Sequence, residues 1–143
     1  LFGGKWGAFD TTGVQFFNIN HPAYQGISRV AKIRASERAL RYGREYFREI
    51  SGNGKDFGHP MDGHCTLAFS RVLDTNEMLI CLNLDENKRE DCVLVDGKIN
   101  PPGTKLRDLL DGATRTVEKT EDGRAYVKVP LAGHSMSILA RSD

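Results

Sequence analysis

The run Met78–Leu84, Met-Leu-Ile-Cys-Leu-Asn-Leu, does most to limit what this chain can fold into. Turn-forming residues bound it, with Asp74, Thr75 and Asn76 before it and Asp85, Glu86 and Asn87 after it. A continuous apolar run of this length is too short for a typical helix and reads as a strand buried on both faces. A second strand-like run, Cys65–Leu73, lies just upstream. The two predict a hairpin at the centre of a β-rich core. Such a core specifies architecture and says almost nothing about chemistry, so the flanks must supply the rest.

The 143 residues suit one compact domain with at most a smaller attached piece. Twenty basic and nineteen acidic residues leave a net charge of +1. That balance implies neither a nucleic-acid nor an anionic-membrane partner, because both call for a concentrated basic patch. No apolar run approaches the roughly 20 residues needed to span a bilayer, and no signal peptide is visible. The chain opens on Leu1, which is read as a sign of processing or of excision from a longer polypeptide. Cys65, Cys81 and Cys92 are an odd set without CxxC spacing. They are expected to be small buried hydrophobes in a reducing, cytoplasmic setting, with one disulfide and a leftover thiol as the minority alternative.

Taken in order, residues 1–13 are rich in glycine and aromatics without periodicity and read as a loop holding Trp6, the only Trp. Trp6 can cover the apolar face of a sugar ring while its N–H stays free; otherwise Trp6, Phe2 and Phe9 plug a core or a domain surface. A helix is expected from Asn20 to Ser36, capped by Asn20 or His21, with Pro22 where its missing N–H costs nothing. Tyr24, Ile27, Val30, Ala31 and Arg34 fall at helical spacing and give a stripe that must pack against something. Arg44–Ile50 reads as extended, and Ser51–Gly63, with four of the fifteen glycines, as a long loop. Strands are expected at Asp91–Asp96, Thr114–Thr120, Tyr126–Val129 and His134–Ala140, while Lys105–Leu110 fits either a strand or one helical turn. Glu121-Asp122-Gly123 signals a hairpin. About seven short strands at intervals of roughly ten residues predict a mainly β fold, an antiparallel β-sandwich with Greek-key connections.

Little in this pattern carries chemistry. His21, His59, His64 and His134 show no recognised zinc-ligand spacing. Cys65 beside His64 has no orienting third group and no oxyanion hole. Gly3-Gly4 and Gly52-Asn53-Gly54 lack the strand–loop–helix setting of a phosphate-binding loop. The carboxylates lie in turns and on alternating strand faces, so no two can be paired as acid and nucleophile.

The order of motifs is nevertheless specific. Phe2-Gly-Gly-Lys-Trp-Gly-Ala-Phe9 leads into His21-Pro-Ala-Tyr-Gln-Gly-Ile-Ser-Arg-Val-Ala-Lys-Ile-Arg34 and Arg38-Ala-Leu-Arg-Tyr-Gly43. Leu67-Ala-Phe-Ser-Arg71, Leu79-Ile-Cys-Leu-Asn83, Leu106-Arg-Asp-Leu-Leu110 and Val129-Pro-Leu-Ala-Gly-His-Ser-Met-Ser-Ile-Leu139 follow. The series resembles the C-terminal end of the α-amylase family of glycoside hydrolases, where the last helix of a (β/α)₈ barrel runs into a β-sandwich called domain C. The resemblance implies that residues 1–43 are the trailing loop and helix of a catalytic barrel and residues 44–143 the sandwich. It implies a parent that cleaves α-1,4-glucosidic bonds in starch- or glycogen-like glucans with retention, using two carboxylates.

It brings no catalytic residue to this chain. The family's Gly-x-Arg-x-Asp nucleophile motif is missing, and Asn20-His21-Pro22 has Pro where the family's Asn-His-Asp motif has Asp. The fragment is therefore expected to be structural, to hold no cofactor or metal of its own, and to have the upstream barrel as its partner. Calcium belongs, if anywhere, to the parent barrel, and α-glucan is met through the parent. Trp6 is the one candidate glycan contact. Helix 20–36, deprived of a barrel, is expected to expose its stripe and to dock on the sandwich or on a second copy. The alternative reading is a stand-alone carbohydrate-binding module using Trp6, Tyr42, Tyr46 and Phe47.

Overall fold

The computed structural model describes residues 18–142. The chain divides into two compact units after Ile33. The expected domain boundary, residue 43, falls at the junction between the helices and the first strand.

The first described element is α1 (Pro22–Ser36). Pro22 opens it, and the His21 Nδ1 accepts the Ala23 backbone N–H at 3.2 Å, so the expected cap is realised by the histidine. Arg34 lies in the last turn, where a cation suits the helix dipole. No residue of α1 is buried, and Tyr24 and Ile27 of the predicted stripe are exposed.

The second unit begins at Arg34, in the last turn of α1, and continues into α2 (Arg38–Tyr42), a helix of one turn that sequence periodicity does not predict. Gly43 donates its N–H to the Ala39 carbonyl at 2.9 Å and ends the helix. A Cβ at residue 43 would stand 2.5 Å from that carbonyl oxygen, so glycine is required there. Ala39 is fully buried where α2 packs on the strands Thr66–Leu73 and Asn76–Asn83 of the larger sheet.

Ten strands follow: β1 (Arg44–Phe47), β2 (Ile50–Ser51), β3 (Thr66–Leu73), β4 (Asn76–Asn83), β5 (Arg89–Leu94), β6 (Lys105–Asp108), β7 (Thr114–Thr116), β8 (Glu118–Lys119), β9 (Ala125–Leu131) and β10 (Met136–Arg141). They form a six-stranded sheet in the order β1-β3-β4-β10-β6-β7 and a four-stranded sheet in the order β2-β5-β9-β8. Every pairing is antiparallel. The chain crosses between sheets after β1, β2, β4, β5, β7 and β9, which sets strands distant in sequence, such as β4 and β10, side by side. This is the mainly β sandwich that the spacing of strands and turns predicts.

The central hairpin is β3–β4, closed by Asp74 and Thr75, with Asp74 at φ 54°. A two-residue turn with positive φ matches the right-handed twist of its strands, and Asp is among the few non-glycine residues that accept it. Between the sheets lie Ala68, Leu79, Cys81, Leu106 and Leu139 from the larger sheet and Val93, Val127, Val129 and Leu131 from the smaller. β9 alternates cleanly, with Val127 and Val129 inward and Lys128 outward. β4 does not alternate. Leu79 and Cys81 face the sandwich core, while Met78 and Ile80, on the opposite face, are also buried. Two-sided burial is what the run Met78–Leu84 predicts, and it holds from Met78 to Cys81; Leu84 lies past the end of β4 and is exposed.

Candidate functional site

Three carboxylates, Glu77, Asp91 and Asp108, are each only 2% exposed. Glu77 accepts hydrogen bonds from Arg48 Nη2 at 2.6 Å, Ser70 Oγ at 2.5 Å, the Asp96 N–H at 3.0 Å and Asn100 Nδ2 at 2.9 Å. Asp91 accepts from Thr66 Oγ1 at 2.6 Å and Arg89 Nε at 3.0 Å. Asp108 accepts from the Ser137 hydroxyl and from the Leu110 N–H, the latter at 2.8 Å. A catalytic carboxylate must reach its substrate. These are shut away from solvent and engaged by their neighbours, so their chemistry is to tie strands and sheets together. Their polar side chains occupy positions that alternate with the outward ones, as Leu79 and Cys81 do. That parity was the sequence signal available for Asp91 and Asp108, beside inward Val93 and Leu106; β4, apolar on both faces, offers none for Glu77.

The candidate nucleophile fares no better. All three cysteines are buried and free. Burial pushes the Cys65, Cys81 and Cys92 thiols up, and at Cys65 the nearby Asp62 and Asp91 add to the effect while Arg89 opposes it. A thiol so shifted is a poor source of thiolate. His64 is exposed and faces Asp85 Oδ2 at 3.9 Å. His134 occupies a turn with φ 49°. Among the described residues no three His, Cys, Asp or Glu side chains gather where a metal could be held.

The candidate sugar-binding aromatics divide. Trp6 lies outside the described residues. Tyr42 ends α2 with the Arg41 guanidinium 5.1 Å from its ring centre. On β1, Tyr46 is paired with Ser70 and Phe47 with Phe69, so adjacent residues send their rings to opposite faces of the sheet. Phe47 meets Phe69 edge-on at 6.5 Å, and Arg48 lies 5.8 Å from the Tyr46 ring centre. Tyr46 and Phe47 are exposed, yet they do not make one flat stacking platform.

A different surface is shaped as a receptacle. On the outer face of the four-stranded sheet, the loop after β2 and the β8–β9 turn enclose a cleft of about 320 Å³. Its lining includes Gly54, Glu90, Cys92, Lys119, Tyr126 and Lys128. The loop is clasped at its base, where Ile50 and Gly58 exchange backbone hydrogen bonds at 2.9 and 3.0 Å. Within it, Asn53 Oδ1 accepts the N–H groups of Lys55 and Asp56, and Ser51 Oγ accepts that of Gly54. Phe57 then packs against Tyr126, ring centres 5.9 Å apart, with the Arg124 guanidinium 5.1 Å from the Phe57 centre. Tyr126 donates its hydroxyl to Glu118 Oε2 at 2.6 Å, and this bond, with burial, pushes the phenol up to about 12. Sequence reading saw a loop here; its partners on β5, β8 and β9 are too distant in the chain to be read from spacing.

No family model matches the chain, and no curated protein matches it by sequence. Solved structures do match in fold. The α-amylase from Geobacillus thermoleovorans, solved with acarbose, aligns with 94% of this chain at a TM-score of 0.65 and 12% identity. An Anoxybacillus α-amylase aligns with 99% at 0.64 and 20% identity, and the γ-cyclodextrin glucanotransferase of an alkalophilic Bacillus clarkii with 98% at 0.59 and 20%. The chain spans 26%, 26% and 19% of those three structures respectively. At these identities the likeness is one of fold: nearly all of this chain has the fold of a minor portion of α-amylases and related enzymes.

Proposed function

We propose that this chain is the non-catalytic, C-terminal part of a longer α-amylase-type glycoside hydrolase acting on α-1,4-glucosidic bonds in starch- or glycogen-like glucans. The observation that carries the reading is the asymmetry of the fold match, near-complete for this chain and 19–26% of its neighbours' lengths in the examples above. A second observation agrees with it. The outer face of the six-stranded sheet carries Leu67, Phe69, Met78, Ile80, Leu82 and Ile138, although that sheet already gives its other face to the sandwich core. A sheet apolar on both faces needs cover on both. Met78, Ile80 and Ile138 are already buried there, and α2 packs over β3 and β4; only the half-buried Leu67, Phe69 and Leu82 leave cover to be assigned to the catalytic barrel upstream in the same polypeptide. The sandwich then acts as a structural buttress, with its buried carboxylates holding it rigid, while hydrolysis belongs to carboxylates of the barrel. Trp6 remains the candidate contact between this segment and glycan.

The test is an activity comparison. The intact polypeptide is expected to release reducing sugar from starch with retained anomeric configuration, and the 143-residue chain none. Turnover by the chain itself, lost on replacing one of its own Asp or Glu residues, would overturn the reading.

A further inference from the structure

Asn53 is the only asparagine in the chain that is followed by glycine, and Asn53-Gly54 forms part of the wall of the cleft. The loop selects both residues. Gly54 has φ 74°, left-handed backbone that favours glycine, and it stands over the Cys92 sulfur. Asn53 supplies a side-chain carbonyl that replaces a backbone acceptor. Its Oδ1 accepts the Lys55 N–H at 2.9 Å, the Asp56 N–H at 3.0 Å and the Ser51 hydroxyl at 2.8 Å. Its Nδ2 donates to Asp56 Oδ2 at 2.7 Å. The pair that builds this wall is also the pair most prone to cyclise, because a following glycine leaves its amide nitrogen unshielded by any side chain. In that reaction the Gly54 amide gives up its proton to hydroxide and its nitrogen attacks Asn53 Cγ. The new N–C bond forms as the bond from Cγ to Nδ2 breaks, and Nδ2 takes up a proton and leaves as ammonia. Water then opens the five-membered imide at one of its two carbonyls, giving aspartate or isoaspartate.

The loop opposes the attack at both atoms. The Gly54 N–H is donated to Ser51 Oγ at 3.0 Å, and Ser51 is only 3% exposed, so hydroxide must reach a proton already held by a buried hydroxyl. Turning Cγ of Asn53 onto that nitrogen breaks its bonds to Ser51, Lys55 and two groups of Asp56 together. The clasp between Ile50 and Gly58, and the seat of Phe57 on Tyr126, hold the ends of the loop meanwhile. We propose that Asn53-Gly54 is a self-modification site guarded by the fold of this loop, and that its conversion releases the wall of the cleft. In the aspartate product a carboxylate oxygen replaces Nδ2 beside Asp56 Oδ2, and a hydrogen bond becomes a repulsion between like charges. The isoaspartate product lengthens the backbone by one carbon and draws the acceptor away from Lys55 and Asp56. Because ammonia is lost, the chain cannot reverse the step, and the wall is loosened once.

The experiment incubates the 143-residue chain and the heptapeptide Ser51–Phe57 side by side in mildly alkaline buffer, with conversion at Asn53 followed by peptide mapping and mass spectrometry. The folded chain is expected to convert about tenfold or more slowly than the peptide, because several hydrogen bonds must open together first. Ser51→Ala removes the acceptor of the Gly54 N–H and is expected to bring the rate most of the way to that of the peptide. Asp56→Ala, on the exposed part of the loop, frees only Nδ2 and is expected to bring it part of the way; it carries the test if Ser51→Ala does not fold. Equal rates for chain and peptide, or no acceleration in Asp56→Ala, would overturn the guard. In Asn53→Asp, hydrogen exchange at the Ile50 and Gly58 amides is expected to quicken while the β3–β4 hairpin stays as slow as in the wild type. Unchanged exchange at Ile50 and Gly58 would overturn the release of the wall.

Discussion

Glu77 joins Arg48, Ser70, Asp96 and Asn100 at one buried carboxylate, so segments that belong to different strands and connections converge on a single side chain. Removing it leaves the part-buried Arg48 guanidinium, the buried Asn100 amide and the Asp96 N–H without this acceptor. Breaking a buried ion pair from one side costs about 3–5 kcal/mol. Glu77→Ala is therefore expected to lower the unfolding free energy by about that much in urea titrations, and Glu77→Gln, which keeps acceptor capacity, by less. A loss below about 1 kcal/mol for the alanine variant would show that the network is not integral to the fold. Tyr126 gives a titratable marker of the smaller sheet. Its hydrogen bond to Glu118, then burial, raises the phenol from the ordinary 10.0 to about 12. The folded state thus holds this proton more tightly than the unfolded chain. The contribution is complete below about pH 10 and is lost as pH rises through about 12. Ultraviolet titration of the wild type against Glu118→Gln should show the phenol ionising at lower pH in the variant; coincident curves would contradict the assignment.

At the level of elements, the β3–β4 hairpin is the part most fully legible in the chain. Apolar runs of strand length flank Asp74-Thr75, and Asp74 takes the positive φ that the turn requires. Asp74→Val places a β-branched residue in left-handed backbone and is expected to cost about 1–2 kcal/mol, while Asp74→Gly should be close to neutral. Equal stabilities for the two variants would mean that the turn does not set this register. Other elements were beyond sequence reading for definable reasons. α2 is too short for helical periodicity to register and is held by burial of Ala39 against the sheet. Pro130 sits inside β9, where proline usually argues against a strand. The Val95 N–H to Ala125 carbonyl bond sets the alternation of the ladder, so Glu90–Pro130 falls at a non-hydrogen-bonded pair and the missing N–H costs nothing. The buried carboxylates were visible as residues, but not their partners, because Glu77 and Asn100, or Asp108 and Ser137, meet only once the sheets have closed. The cleft was hidden for the same reason. Its floor and its walls come from four separate stretches, and only the glycines of the loop hinted at a special conformation.

For the whole molecule, the strand spacing predicted the sandwich, and the ordered motifs predicted the class of enzymes whose structures share its fold. The six-stranded sheet is apolar on both faces, and on its outer face Leu67, Phe69 and Leu82 are only half-buried. This is coherent if the sandwich packs against a larger body, because an apolar sheet face is normal for one side of a larger core. The central claim is therefore about the size of the natural polypeptide, and the most direct test is its mass in the source cells, by immunoblot with an antibody against this segment. The account predicts a species several times larger than 15.9 kDa, carrying the amylolytic carboxylates upstream. A single species at 15.9 kDa would contradict it.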